Sequence, residues 1–588
     1  MTETIHISVA WPYANGDLHI GHLAGAYLPA DVFARYHRLK GNRVLMVSGS
    51  DSHGTPVILA ADKEGVTPRE LFEKYHSRFL QVQKQLGISY DLFTHTDTEN
   101  HHQIAQDFFT RLLERGYLYR ESQQMLFDKE AERFLPDRFV EGVCHHCGFP
   151  EARGDQCDNC GRLIDTTLLI DPVSKLTGST PIIRETDHYF LDLAKLRDPL
   201  REYLGDKDYW RPNVISFARN LVEDLRGRPI TRDIDWGIQV PLEGWEDKRL
   251  YVWFEAVMGY FTASVEWANN TDQPEAWRDF WHNPAIKGYC FIGKDNIPFH
   301  TLMWQAELIG VRGLYSDDDD QELTLPYDVP ANEFMKLQGD DFSKSRNRAI
   351  WLIDILERYD PDAIRYYIAS VLPETRDTDF TWEDFVARNN SELVAWWGNL
   401  VNRVLKFAYK HWDGQVPDPG ELGPEDKALL EKVEVGFETV GDSIAAVKLR
   451  RALDEAMALS REVNVYLDKA PWFGVVKEDK AAAAKTVYTA LQAISHLTII
   501  LSPFLPFTSQ QLYSLLGFEG QLFGEQVIET FEEDERSHDA LTYDASAAVG
   551  QWGALALPPG QTLGQPQPLF KKLDEKQVLE QELGQPTV

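Results

Sequence analysis

Residues 5–9, Ile-His-Ile-Ser-Val, alternate apolar and polar positions and lead almost directly into Tyr13-Ala14-Asn15-Gly16-Asp17-Leu18-His19-Ile20-Gly21-His22. Behind this stretch the amphipathic run 23–39 has helical period, with Pro29 as the place for a kink. A strand that enters a helix through a short turn constrains the fold more than any other feature of the chain. It is the opening unit of an α/β sheet, where helix N–H groups face an anion. Gly21 removes a side chain that would block a phosphate chain, and His19 and His22 can donate hydrogen bonds to its oxygens. A second strand follows at 42–48, where Val44-Leu45-Met46-Val47 is continuous, as in a buried parallel strand. Thr67-Pro68-Arg69-Glu70 starts a helix to 86 with a cap, a proline at the first helical position and a glutamate three residues after the cap. Another helix is predicted over 104–115, stopped by Gly116. Residues 1–115 therefore read as the first half of a doubly wound sheet.

The chain has 588 residues, too many for one core, so about three or four domains are expected. The alternation stops at 116–230, which reads as an insert. It holds four of the five cysteines, as Cys144-x2-Cys147-x9-Cys157-x2-Cys160. Two such knuckles supply four thiolates for a tetrahedral zinc, and with all four positions filled the zinc is structural. Asp171 to Gly178 carries no second knuckle, so one zinc is expected. Cys290, in the apolar run 289–292, reads as a packed strand residue. The α/β pattern resumes over 231–325, with 251–254 and 288–293 as strands, and a mixed connector covers 326–385. Helical period dominates 386–545, at 393–411, 423–440, 444–467 and 481–501, which predicts an antiparallel bundle. The tail 546–588 reads as extended and packing back on an earlier domain. A net charge of −33 argues against a protein that coats nucleic acid, yet permits a local basic site. No apolar run reaches membrane-spanning length, and the first residues lack a basic-then-apolar leader, so a cytoplasmic protein is expected.

A second phosphate-holding pattern lies far along the chain, at Gly339-Asp340-Asp341-Phe342-Ser343-Lys344-Ser345-Arg346. Hydroxyls, a lysine and an arginine in one loop can hold a triphosphate and neutralise charge as it transfers. The two patterns together resemble the class I aminoacyl-tRNA synthetases, in which a His-Ile-Gly-His element and a Lys-Met-Ser-Lys-Ser element embrace ATP. His19 to His22 match in full. Phe342 to Ser345 match the last four positions of the second element, with phenylalanine for methionine, and Asp341 stands where the first lysine is expected. The match is closest to the methionyl-tRNA synthetase family and runs through 10–16, 51–56, 251–256 and 291–300. It implies a Rossmann-like catalytic domain split by a zinc-knuckle connective insert and followed by an all-α anticodon-binding bundle.

The resemblance also assigns residues. His19, His22 and Lys344 would be catalytic, and ATP would lie against His19, Gly21, His22, Gly293, Asp295, Ser343, Lys344, Ser345 and Arg346. Methionine would be held by Ala10, Tyr13, Asp51, Trp253, Tyr260, Phe299 and His300, with Asp51 on its ammonium group. A polarisable thioether is well held by aromatic rings. Arg232 would assist substrate or phosphate. Asn399 and Arg403, four apart on one helix face, and Trp472 would read the anticodon, the indole offering a plane for a splayed base. The implied partners are ATP with Mg2+, L-methionine and tRNA(Met), and a monomer is expected. The insert is too short for the hydrolytic editing domain of the leucine, isoleucine and valine relatives, which must separate side chains worth only about 1–3 kcal/mol of difference. Two other readings share these residues: a zinc-containing tRNA-binding paralogue with a decayed site, favoured by Asp341 alone, and a nucleotidyltransferase that does not act on tRNA, opposed by the helical domain.

Overall fold

The computed structural model describes residues 2–136, 139–154, 157, 159–160, 162, 164–271, 273–340 and 349–584. Strands β1 (Thr4–Val9), β2 (Arg43–Ser50) and β3 (Leu92–His95) lie side by side and parallel. On the other flank of β1 lie β4 (Lys287–Gly293) and then β5 (Ala331–Asn332), also parallel. These strands are largely buried, as expected where helices cover both faces of a parallel sheet. Strand order reverses between β1 and β4, in register Ile7↔Tyr289 and Val9↔Phe291. The crevice beyond their carboxyl ends is where a doubly wound sheet binds ligands.

The helical run after the first turn is continuous from Ile20 to Leu39 but widens to a π turn at Leu23–Tyr27. Pro29 lies two residues past that π turn, and the helix runs on through it. The carbonyl of Gly25, which Pro29 cannot serve, accepts instead from Asn332 Nδ2 at 2.8 Å, so β5 repairs the missing bond. The helix expected at 104–115 begins earlier, at Glu99, because Thr98 caps it by accepting from His101 N. Its first turn is polar and hid the apolar period.

Two corrections concern strands. Residues 251–254 are not a strand. Val252–Glu255 form a helical turn, with the amides of Phe254 and Glu255 bonding to the Tyr251 carbonyl. Aromatic and β-branched residues suggested extended chain, but packing at the sheet crevice decides the local structure. The helical reading of 386–545 also fails at its end. β6 (Glu525–Glu532) and β7 (Ser537–Asp544) form a hairpin, and β7 pairs antiparallel with β3 through Leu541↔Phe93 and Thr542↔Leu92. β6 is the solvated edge and carries glutamates and threonine, so it shows no apolar face of its own.

In the insert, Leu118–Asp128 and Ile182–Leu191 form a long antiparallel pair, and a three-stranded sheet of Val140–Val143, Ala152–Arg153 and Ile170–Ser174 carries the cysteines. The bundle comprises Asn399–His411, Pro424–Ala445, Leu449–Lys469 and Lys480–Leu501, followed by Pro506–Leu515. The expected helix 444–467 is two helices broken at Val447, whose φ of +52° ends one. Glu374 of the connector caps the next, accepting from Leu449 N at 2.6 Å and Arg450 N at 3.2 Å. The tail returns to the connector: Glu582 of the short helix Glu575–Leu583 accepts from Arg358 Nε at 2.8 Å and Tyr359 Oη at 2.9 Å. Among the described residues, no helix is long and apolar enough to cross a membrane.

Candidate active site

A cavity of about 500 Å³ opens at the carboxyl ends of β1 and β4. One wall is His19, Gly21, His22, Gly293 and Asp295; the other is Ala10, Tyr13, Asp51, Trp253, Tyr260 and His300. Residues separated by hundreds of positions thus meet in one space, of the size a nucleotide or amino-acid ligand needs. Backbone bonds bring two of them together: Ala14 N donates to Asp51 O at 2.9 Å, and Asp51 N to Pro12 O at 2.8 Å.

On the first wall, Gly21 N donates to His19 Nδ1 and His19 N to His22 Nδ1, each at 3.1 Å. An amide can only donate, so both Nδ1 atoms are acceptors and the neutral rings carry their proton on Nε2. Each ring is therefore a hydrogen-bond donor held by its own turn. A Cβ at Gly293 would lie 2.8 Å from Asp295 Oδ1, so any larger residue there would displace the Asp295 carboxylate. Asp295 is exposed at the cavity rim, and partial desolvation by the surrounding walls raises its carboxyl above the ordinary value. Residues 341–348, which include Asp341, Ser343, Lys344, Ser345 and Arg346, lie outside the described residues. The chain just after them pairs with the first motif: Ile20 N donates to Ile350 O at 3.0 Å and Leu352 N to Leu18 O at 2.8 Å.

On the second wall, His300 Nδ1 lies 3.0 Å from the Asn296 carbonyl and its Nε2 lies 2.6 Å from Tyr260 Oη. The carbonyl fixes the proton on Nδ1, so Tyr260 donates to Nε2. Burial lowers the His300 pKa to about 4, which keeps the ring neutral. Tyr13 meets Trp253 edge-on at 6.3 Å, and Phe299 stacks behind Trp253 at 4.0 Å. Phe299 is thus placed to support Trp253 rather than to line the cavity. Asp51 is raised well above the carboxylate range, by burial first and then by Glu255. Arg232 is also outside the lining: its guanidinium donates to the carbonyls of Pro229 and Thr231 and stacks 3.7 Å from the Tyr251 ring. Asn296, Glu333 and Phe334 are also among the lining residues. Sequence reasoning passed over Glu333 and Phe334 because they follow a two-residue strand with no pattern of its own.

The four thiols Cys144, Cys147, Cys157 and Cys160 lie within 4.8 Å of one another and are unpaired by disulfides. Cys147 Sγ and Cys157 Sγ are 3.7 Å apart. A tetrahedron with zinc–sulfur arms of about 2.3 Å has edges of about 3.8 Å, so the donor set fits that ion. In the bundle, Asn399 and Arg403 are exposed on one helix face. Trp472 does not present the open plane expected of it. It is 6 % exposed, its Nε1 donates to Leu467 O at 3.0 Å, and Arg403 covers its ring at 5.4 Å. The neighbouring Phe473, missed in the sequence, is 72 % exposed.

Residues 5–405 match the family model described as tRNA synthetases class I (M), and 416–542 match the anticodon binding domain of methionyl tRNA ligase. A methionine–tRNA ligase of Thermomicrobium roseum is 55% identical over 586 residues, covering 99% of this chain and 98% of its own. That of Roseiflexus castenholzii is 52% identical over 593 residues, with 99% and 98% covered. Among solved structures, Mycobacterium tuberculosis methionyl-tRNA synthetase bound by methionyl-adenylate aligns with a TM-score of 0.72 at 25% identity, over 97% of this chain and 100% of that one.

Proposed function

Because the chain belongs to the class I methionine–tRNA ligase family, we propose a division of labour among its residues in charging tRNA(Met) with L-methionine. The observation that carries this is the cavity itself, which sets two imidazole donors opposite a carboxylate and an aromatic slot. Asp51 takes the methionine ammonium, whose charge restores the carboxylate form that burial disfavours. Trp253, backed by Phe299, and the Tyr260–His300 pair hold the thioether, with Tyr13 and Ala10 closing the slot. Mg–ATP lies against Gly21, Gly293 and Asp295. The methionine carboxylate oxygen attacks the α-phosphorus, the bond to the bridging oxygen breaks, and pyrophosphate leaves with the electron pair. His19 and His22 donate through Nε2 to the oxygens on which charge grows, and Lys344, Arg346, Ser343 and Ser345 neutralise the leaving group. Arg232 acts indirectly, by fixing the backbone at 229–231 under the site. The terminal adenosine 2′-hydroxyl of tRNA then takes the methionyl group from the adenylate, releasing AMP. Little covalent work falls to the protein beyond positioning and charge stabilisation.

The domain division follows: 1–115 with 231–325 catalytic, 116–230 connective, 326–385 a connector, 386–545 anticodon-binding and 546–588 a returning tail. When bound by its four thiolates, one zinc would stabilise the insert and take no part in the reaction. A cytoplasmic monomer is the assembly proposed. Asn399, Arg403 and the Trp472–Phe473 face would meet the anticodon, with Arg403 leaving the indole as a base arrives. The test is methionine-dependent ATP–pyrophosphate exchange across the twenty amino acids. Only methionine should support it at low concentration, and Lys344→Ala should lower the rate roughly 100- to 1,000-fold. Normal exchange in that variant would refute the assignment of Lys344.

A further inference from the structure

Under the methionine wall lies a buried polar cluster that the reaction as described leaves unused. His53 Nδ1 is 3.0 Å from Glu255 Oε1, and His53 Nε2 is 3.4 Å from Asp97 Oδ1. Glu255 Oε2 faces His101 Nε2 at 2.9 Å, and that ring bonds through Nδ1 to Thr262 Oγ1 at 2.8 Å. Asp97 Oδ2 is gripped by Arg69 at 2.7 Å and by Arg536 at 2.9 Å, while His102 Nε2 stands 3.2 Å from Oδ1. Arg536 also donates to the Asp97 carbonyl. His53, Asp97 and His102 have donor atoms within 4.8 Å, as a cation site would. Both Asp97 oxygens are already engaged by cationic or imidazole partners, so the cluster is an internal clamp rather than a metal centre.

Its geometry connects to the site at two points. The His53 amide donates to Asp51 Oδ1 at 3.2 Å, and Ser52 N donates to Thr96 Oγ1 at 2.9 Å, beside Asp97. Glu255 closes the helical turn that carries Trp253. His53 therefore bridges the loop of Asp51 and the turn of Trp253. Gly54 lets them approach: at φ +84°, a Cβ there would lie 2.9 Å from Val252 Cγ1. The far end of the clamp comes from the hairpin of β6 and β7. Its loop sits on the start of helix Glu99–Glu114: Glu99 N donates to Glu533 Oε1 at 2.8 Å, and Asp534 N and Glu535 N donate to the Glu99 carboxylate at 3.1 and 2.9 Å.

We propose that Arg536 and Asp97 are positioning residues for methionine: through His53 they hold the Asp51 loop at a fixed distance from the Trp253 turn. The separation of ammonium and thioether partners is thereby set from a hairpin that follows the anticodon-binding bundle in sequence. The electrostatics agree. Burial opposes a charge on His53, but Glu255 and Asp97 outweigh it and hold its pKa up to about 10, so the bridge is a cation between two carboxylates. Against burial, His102 and His53 hold Asp97 as an anion, well below the carboxylate range, while Arg69 and Arg536 fix its other oxygen in place.

This rests on the methionine reading of the cavity. The test is steady-state ATP–pyrophosphate exchange on the full chain, with methionine and ATP varied separately, and a thermal midpoint recorded for each variant. Arg536→Gln should raise the methionine KM roughly three- to thirtyfold. The ATP KM should stay within about twofold, because His19 and His22 are held by their own turn. Arg536→Lys, which keeps the charge, should recover most of the loss. An unchanged methionine KM overturns the proposal. So does a parallel rise of both KM values with a fallen midpoint, which would mark general loosening. If Arg536→Gln does not fold, Arg69→Gln, which removes the other cation from the same carboxylate, is judged by the same two criteria. Exchange without methionine dependence in the unaltered enzyme would refute the functional reading instead.

Discussion

The Tyr260–His300 pair shows how much one tautomer decides. With Nδ1–H spent on the Asn296 carbonyl, Nε2 accepts from the tyrosine hydroxyl, its only partner among the described residues. Tyr260→Phe keeps the ring and removes that donor, leaving a buried acceptor unpaired at about 1–3 kcal/mol. The imidazole is then free to leave its plane, and the methionine KM in exchange should rise by about tenfold, with the ATP KM unchanged. A methionine KM equal to that of the parent would show that the pair is packing alone. His19 and His22 were legible as donors from sequence, because spacing on a helix start suffices to aim them. That Phe299 backs Trp253, and that Arg232 faces carbonyls instead of the cavity, was not legible. Both facts depend on which way a side chain leaves its backbone, and spacing along one segment does not carry that.

Elements were legible where their pattern is internal. Strands β1, β2 and β4 and the long helices carry their own apolar pattern, and the cysteine knuckles carry their own spacing, whereas β3 and β5 are too short to show one. The hairpin of β6 and β7 has neither. It is a strand pair because β3 offers an edge, a fact written more than 400 residues away (Phe93 opposite Leu541). The turn at Val252–Glu255 is likewise set by what it packs against. The helix Asn399–His411 and the segment at 472–473 raise the same issue for RNA. Phe407 touches both rings, at 4.9 Å to Trp472 and 5.9 Å to Phe473, but only Phe473 faces solvent. Desolvation first, and then Lys410, Lys480 and Lys477, lower the nearby His411, and the three lysines form a local cationic patch in an acidic chain. Stacking of a base is worth about 1–3 kcal/mol. Phe473→Ala should therefore raise the tRNA KM in aminoacylation roughly tenfold, with tRNA-independent exchange and thermal midpoint intact. Trp472→Ala should lower the midpoint as well, because it empties a buried position. Full tRNA activity in Phe473→Ala would return the stacking role to Trp472 alone.

At the scale of the molecule, buried polar residues tie the halves together. Arg365 is fully buried and donates to Asp31 Oδ2 at 2.6 Å on the first long helix, and to the carbonyls of Pro503 and Phe504 at 2.9 and 3.1 Å beyond the bundle. Histidines are buried across the same span. Burial lowers His6 and His37 to about 3, and His76, His300 and His496 to about 4. Their unfolded-state value is about 6.5. Above that pH both states are neutral and these groups leave stability unchanged. Below it the unfolded chain takes up protons that the folded chain refuses, so stability falls as pH drops from 6.5 toward 4. At pH 5 each such histidine is worth up to about 2 kcal/mol of loss by linkage. Ordinary carboxylates hardly titrate between 6.5 and 5. A chain of net charge −33 would, from self-repulsion alone, become more stable on mild acidification. The two effects have opposite sign, so the measurement separates them. His53, held up to about 10 in the fold, works the other way above 6.5, where the folded chain binds the proton more tightly than the unfolded one. Thermal midpoints taken at constant ionic strength from pH 7.5 to 5 should therefore rise slightly down to about 6.5 and then drop steeply. A midpoint that stays level or climbs to pH 5 would mean that these histidines gain protons inside the fold.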